Sequence, residues 1–202
     1  MIQIRRLVMR YFSFDLSFTG TGICMMDDEH KTISFWQVKT YLEKLKTFEN
    51  IQKAIASVLA DIGYIVSCYE KLGEMKIIME QPFVGGCWSA GLYGLDSAFY
   101  QRFRNVITRT FHPNTLKKVM GKHTKKDSRL LAQDILADLE SCGWRTDLPT
   151  LKGSLERTYK ITDDQAEALI YNCIYHVEEN HPDFIGYYES LNCEKILNQY
   201  HC

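Results

Sequence analysis

Proline is scarce, four in 202 residues, and the single Pro/Gly/Ser-dense stretch, residues 82–94, is too short to be an interdomain linker. With no internal repeat either, one domain spanning 1–202 is expected, long enough to bury a proper core. The seven cysteines are odd in number and include no CxxC pair. A disulfide framework would leave one thiol over, so they read as reduced core thiols. No apolar run approaches the roughly 18 residues that a membrane span needs. Residues 1–10, with Arg5 and Arg6 inside an apolar stretch, are not built like a signal peptide. A cytoplasmic protein with no membrane partner is the expectation. At 46% apolar and 24% charged residues the chain is neither disordered nor low in complexity.

A net excess of charge is also missing, since the formal total is −1, but the average conceals a segment. Residues 101–130 hold nine basic side chains (Arg102, Arg104, Arg109, Lys117, Lys118, Lys122, Lys125, Lys126 and Arg129) against the single acid Asp127. That is a local +8, and the remainder carries −9. Such polarity suits a protein that holds a polyanion on one face and keeps carboxylates elsewhere. A solvated helical face has the same composition.

Three β-like runs, residues 7–16, 22–26 and 32–38, are separated by a Ser/Thr/Gly turn and a charged turn, which predicts an antiparallel meander. Between residues 41 and 72 apolar side chains recur at three- and four-residue steps, the mark of a long amphipathic helix, with Gly63 as a candidate kink or stop. A strand over 76–80, a helix over about 92–107, a strand over 107–111, a helix over about 125–140 ended by Cys142 and Gly143, and a last helix from Thr162 to about Val177 follow. Residues 144–160 show no periodicity, and a C-terminal extension begins after about residue 178. Three antiparallel strands, then alternating strands and helices, give an α/β fold with a mixed central sheet.

Carboxylates sit where these elements end. Asp15 closes the first strand before a turn containing Thr19, Gly20, Thr21 and Gly22, and Glu80 closes the apolar run Ile77, Ile78, Met79. Asp164 and Glu167 are three apart, on one face of the last helix's first turn, with Asp163 beside them. Singly, each is explained as a cap or as half of an ion pair. Brought together, they would repel one another, and oxygen-preferring divalent cations, magnesium or manganese, relieve that repulsion. Two such ions can grip a phosphodiester for hydrolysis.

Four motifs carry a resemblance. Asp15-Leu-Ser-Phe-Thr-Gly-Thr-Gly22, Ile78-Met-Glu80-Gln-Pro-Phe83, Asn114-Thr-Leu-Lys117-Lys118-Val-Met-Gly121 and Asp164-Gln-Ala-Glu167-Ala-Leu together resemble the RuvC family of Holliday-junction resolvases, in that family's order. Residues 138–160 look closer to the resolvases of poxviruses and phages. The resemblance implies an RNase H-like fold with a five-stranded mixed sheet flanked by helices. It implies metal-dependent cutting of four-way or branched DNA that leaves 5′-phosphate ends, with two Mg2+ or Mn2+ ions held by Asp15, Glu80, Asp164 and Glu167. The family usually has Asp where Glu167 stands, which keeps Asp163 in reserve. It also implies a base contact by Phe83 and DNA contacts by Lys117 and by Lys125 or Lys126, with Lys118 and Lys122 as outer phosphate contacts. Thr19, Thr21 and the main chain of Gly20 and Gly22 are candidate contacts to phosphate or to metal-bound water.

Resolvases of this kind act as homodimers, and the small residues of 89–98 lie where the family's dimer helix starts. Packing of a buried helix within one polypeptide asks for the same residues. Three other readings compete: a non-catalytic branched-DNA binder of the same fold, an actin-like ATPase, and a zinc module using Cys173 and His176. The ATPase needs two domains, and the cysteine and histidine match no standard zinc spacing.

Overall fold

A computed structural model describes residues 9–40, 47–70, 73–81, 89–112, 114–120, 124–149 and 159–180. Strand β1 (Met9–Asp15) is central, and its middle five residues are all buried, so layers cover it on both faces. It pairs antiparallel with β2 (Thr21–Asp27), which pairs antiparallel with β3 (Thr32–Val38). The meander read from the sequence is therefore present. On its other side β1 pairs parallel with β4 (Glu74–Glu80), which pairs parallel with β5 (Ile107–Phe111). A sixth strand, β6 (Arg145–Thr146), adds to the free side of β3 in parallel, giving the order β5-β4-β1-β2-β3-β6.

Six strands replace the expected five because β6 is only two residues long. Its backbone is held by neighbours distant in sequence, as where Arg145 N–H donates to the Lys31 carbonyl at 2.9 Å. No local pattern announces a strand so short.

Alternation along the strands divides the core in two. Phe12, Phe14, Ile23, Met25, Ile77 and Met79 face helices α1 (Phe48–Glu70) and α2 (Ser89–Phe103). Tyr11, Cys24, Met26, Ile33, Phe35 and Ile78 face α3 (Thr115–Met120), α4 (Lys125–Ser141) and α5 (Asp163–Asn180). The helices begin where caps are supplied. Thr47 accepts the Asn50 N–H at 3.2 Å, Thr124 and Asp127 cap each other reciprocally, and Thr162 and Gln165 do the same for α5. Helix α2 ends at Phe103, short of the expected 107, and Ile107 opens β5 instead. Helix α4 stops as expected, with Gly143 at φ +85°.

Gly63 does not end α1, which runs on to Glu70. A Cβ there would lie 2.0 Å from Nη2 of Arg102, so the glycine admits the guanidinium that donates to the Leu59 carbonyl at 3.0 Å. By length and composition α1 is apolar enough to cross a membrane, contrary to the expectation that no stretch is. Its apolar face, Ala54, Val58, Ile62 and Val66, is spent on the core instead. The four described cysteines Cys24, Cys68, Cys142 and Cys173 are free thiols.

Candidate active site

Strand parity decides which way the strand-end acids point. Asp15 is two residues beyond Ser13 and four beyond Tyr11, and Glu80 is two beyond Ile78, so both belong to the α5 side of the sheet. The register Phe14↔Met79 makes their strand ends neighbours. On the other flank Asp15 pairs with Gly22 of β2. A Cβ at Gly22 would lie 2.1 Å from both atoms of the Asp164 backbone carbonyl, so the missing side chain lets the first turn of α5 rest directly on the sheet. These placements bring Asp15, Glu80, Asp164 and Glu167 to one cleft of about 260 Å³, lined also by Leu16, Ser17, Thr19, Gln81, Leu92 and Asp96.

Further side chains hold the acids in place. Gln37 Nε2, on the α5 side of β3, donates to Asp164 Oδ2 at 3.0 Å. Ser128 of α4 donates to Glu167 Oε1 at 3.2 Å, where Glu167 is buried. Tyr171, one turn along α5 from Glu167, is buried. Its hydroxyl is pushed well above its ordinary pKa by burial and then by the negative charge of Glu80, Asp15 and Glu167. Thr21 Oγ1 donates to the Ser17 carbonyl at 2.8 Å and accepts the Ser17 N–H at 3.2 Å. It shapes the turn, while Thr19 lines the cleft.

Asp163, the reserve candidate, is not among the cleft's lining residues. Its carboxylate forms an ion pair with Arg129 of α4 at 2.8 Å, whereas Glu167 lines the cleft. The basic segment splits into two sets. Arg102 is bound to α1 and Arg109 makes a two-pronged pair with Glu178 at 2.8 and 2.9 Å, so these serve the fold. Lys117, Lys118 and Lys126 are exposed. Helix α3, which carries the first two, starts four residues after Phe111, the strand partner of Glu80. Phe83, Lys122 and the side chain of Lys125 lie outside the described residues.

The small residues of α2 have a use within the protomer. A Cβ at Gly91 would meet the Phe18 ring at 3.2 Å, and one at Gly94 would meet Ile55 of α1 at 3.0 Å. Close packing of α2 on α1 accounts for Gly94, and its approach to the Phe18 ring for Gly91. Cys173 is fully buried, and the His176 ring packs at a tilt against Tyr11 at a centroid distance of 4.2 Å.

Sequence reading passed over Gln37, Ser128, Tyr171 and Asp96. The first three carry no signal until the protein folds. Asp96 does, as an acid in register with Leu92, Leu95, Phe99 and Phe103 on one face of α2. It is 6% exposed, and burial followed by the charge of Glu80 pushes its carboxyl up to about 7.

The donor set at the cleft is all oxygen, which suits Mg2+ or Mn2+ and not a thiolate- or imidazole-seeking metal. A buried polar atom, Asp96 Oδ1, has no hydrogen-bond partner beside it, which also fits a cation. Among the described residues no group of three or more His, Cys, Asp or Glu side chains is arranged as a ready metal cage.

A mixed sheet with carboxylates at the ends of its two central parallel strands and on the helix crossing them is the RNase H-like class of α/β fold. Within that class the protein's fold is RuvC-like. Its structure superposes on Thermus thermophilus RuvC in complex with Holliday junction substrate with a TM-score of 0.57 at 12% identity, covering 85% of this chain and 95% of that one. A second Thermus thermophilus RuvC structure gives 0.56 at 13% identity, with the same coverage. No protein-family model matches the sequence, and no curated protein matches it either.

Proposed function

We propose that the protein is a structure-selective endodeoxyribonuclease of the Holliday-junction resolvase kind, akin to the phage and poxvirus enzymes, acting as a homodimer on four-way or branched DNA. The observation that carries this is the meeting of Asp15, Glu80, Asp164 and Glu167, from three elements remote in sequence, in one cleft. Those four carboxylates would hold two Mg2+ or Mn2+ ions. When bound, such a pair supplies an activated water and stabilises the leaving oxygen of a phosphodiester.

The protein's own residues do the rest. Gln37 and Ser128 fix the orientation of Asp164 and Glu167, so the ligands need little reorganisation when the substrate arrives. The exposed Lys117 and Lys118 beside the sheet end that bears Glu80 attract the backbone of either strand regardless of sequence. Phe83, in the segment following Glu80, supplies stacking at the opened centre of a junction, an interaction of roughly 1–3 kcal/mol per base.

The test is incubation of labelled four-way, three-way, flap and linear DNA with the wild type and with Asp15→Asn, with and without magnesium. Magnesium-dependent nicking of branched DNA by the wild type, lost in Asp15→Asn while junction binding persists, is the expected outcome. Equal cutting by the two proteins refutes the assignment. Binding without cutting by the wild type establishes the alternative, a non-catalytic branched-DNA binder.

A further inference from the structure

Helix α2 contributes one acidic side chain, Asp96, to the cleft. Asp96 lies in the inward stripe of α2, flanked by Leu95, Phe99 and Phe103, all in the core. Its side chain lines the same cleft as the four acids above and also the adjoining groove of about 680 Å³, whose walls include Tyr93, Tyr100 and Thr110. Its Oδ1 is buried and without a hydrogen-bond partner, and among the described residues it makes no ion pair. A buried acceptor left unsatisfied costs stability, and more when charged. An apolar residue in this register would add to the core instead of subtracting from it.

We propose that Asp96 is a fifth cation-binding carboxylate of the cleft, whose buried Oδ1 takes part with Glu80 in holding a divalent cation. The inference rests on the nuclease reading of the cleft and extends it. It accounts for an acid in a core position, because a cation at the cleft would supply the opposite charge that no basic side chain among the described residues gives it. It also places a ligand on the α1/α2 side of the sheet, opposite the layer that carries Asp164 and Glu167. The cation site then draws on both layers.

The experiment is calorimetric titration of Mn2+ into the DNA-free protein at a fixed, mildly alkaline pH. The proteins are the wild type, Asp96→Asn, Asp15→Asn and, as a control on the exposed face of α4, Asp134→Asn. The melting temperature of each is recorded with and without Mn2+. Asp96→Asn is expected to weaken Mn2+ binding by about tenfold or more. Asp15→Asn should weaken it as well, and Asp134→Asn should leave it unchanged. Without metal, Asp96→Asn should melt at or above the wild-type temperature, since the amide removes an unpaired buried charge, and Mn2+ should raise its melting point less than it raises that of the wild type. Wild-type affinity in Asp96→Asn alongside lost affinity in Asp15→Asn overturns the proposal and leaves the nuclease reading standing. Metal-free Asp96→Asn melting far below the wild type also overturns it, by showing that the carboxyl serves the fold. If the wild type binds no Mn2+, or Asp15→Asn binds it as the wild type does, the nuclease reading itself fails and takes the proposal with it.

Discussion

Replacing Gly22 by alanine should damage both stability and cutting, whereas the same change two residues earlier should damage mainly cutting. At Gly22 the new methyl would meet both atoms of the Asp164 backbone carbonyl at 2.1 Å and the Gln165 nitrogen at 2.6 Å. Neither side can yield by rotating a bond, because β2 is held between β1 and β3 while the other partner is helix backbone. Overpacking costs about 1–3 kcal/mol where side chains can adjust, so the upper end of that range is the minimum here. For a protein of this size that is a fall in melting temperature of roughly 6–12 °C. If the protein relieves the clash by lifting the first turn of α5, Asp164 and Glu167 move off the sheet, and a displacement of about 1 Å at a reacting centre costs on the order of 100-fold in rate. At Gly20 the methyl would meet Gln37 Nε2 at 2.7 Å and Asp164 Oδ2 at 2.8 Å, the far ends of two side chains that can turn away. The loss there is their mutual hydrogen bond, about 1 kcal/mol. Thermal melting by circular dichroism and single-turnover nicking of a four-way junction measure the pair. A Gly22→Ala protein that melts within ~2 °C of the wild type, below the shift that even 1 kcal/mol produces, would show that the sheet and α5 are not in backbone contact there.

Acid should unfold the protein partly through His176. Burial, followed by the nearby charge of Lys76, holds its imidazole down to about 4 against the pull of Glu179. A base with a lowered folded-state pKa contributes stability that is intact above its ordinary value near 6.5 and is lost as pH falls towards 4, about 3 kcal/mol in all. Denaturant midpoints of His176→Phe should accordingly decline less than those of the wild type over that interval, and parallel declines would rule the histidine out. Removing one half of the buried pair Arg10–Asp27, 2.9 Å apart, by Asp27→Ala should cost about 3–5 kcal/mol by stranding the guanidinium. A loss under ~1 kcal/mol in urea, the range of an exposed pair, would contradict its burial. Lys117→Ala with Lys118→Ala should lower junction affinity and reduce the slope of log affinity against log salt by about 2. An unchanged slope in fluorescence anisotropy would remove both lysines from the interface.

Much of this architecture is legible in the residues because local signals and tertiary demands agree. The third strand, the fifth strand and the Cys142-Gly143 stop lie where their patterns put them, and Asp15 and Glu80 stand at the strand ends where their runs put them. What was hidden is held by partners distant in sequence. Strand β6 exists through its pairing with β3, and Gln37 and Ser128 matter through acids 127 and 39 positions away. Gly63, Gly91 and Gly94 look alike as letters, yet the first admits an arginine, the second the Phe18 ring, and the third brings α2 onto α1. Nor does the sequence show that Asp163, the reserve beside Glu167, pairs with Arg129 while Glu167 lines the cleft.

Because two of its carboxylates reside on α5, the final helix described, the cleft stays incomplete until that helix has left the ribosome. A nascent polypeptide that has emerged only as far as β6 possesses the meander, both parallel strands and the basic helices, and so the means to cling to a polyanion, but only the carboxylates of β1, β4 and α2. Docking of a capped helix onto a glycine floor is therefore the folding step that completes the acidic cleft.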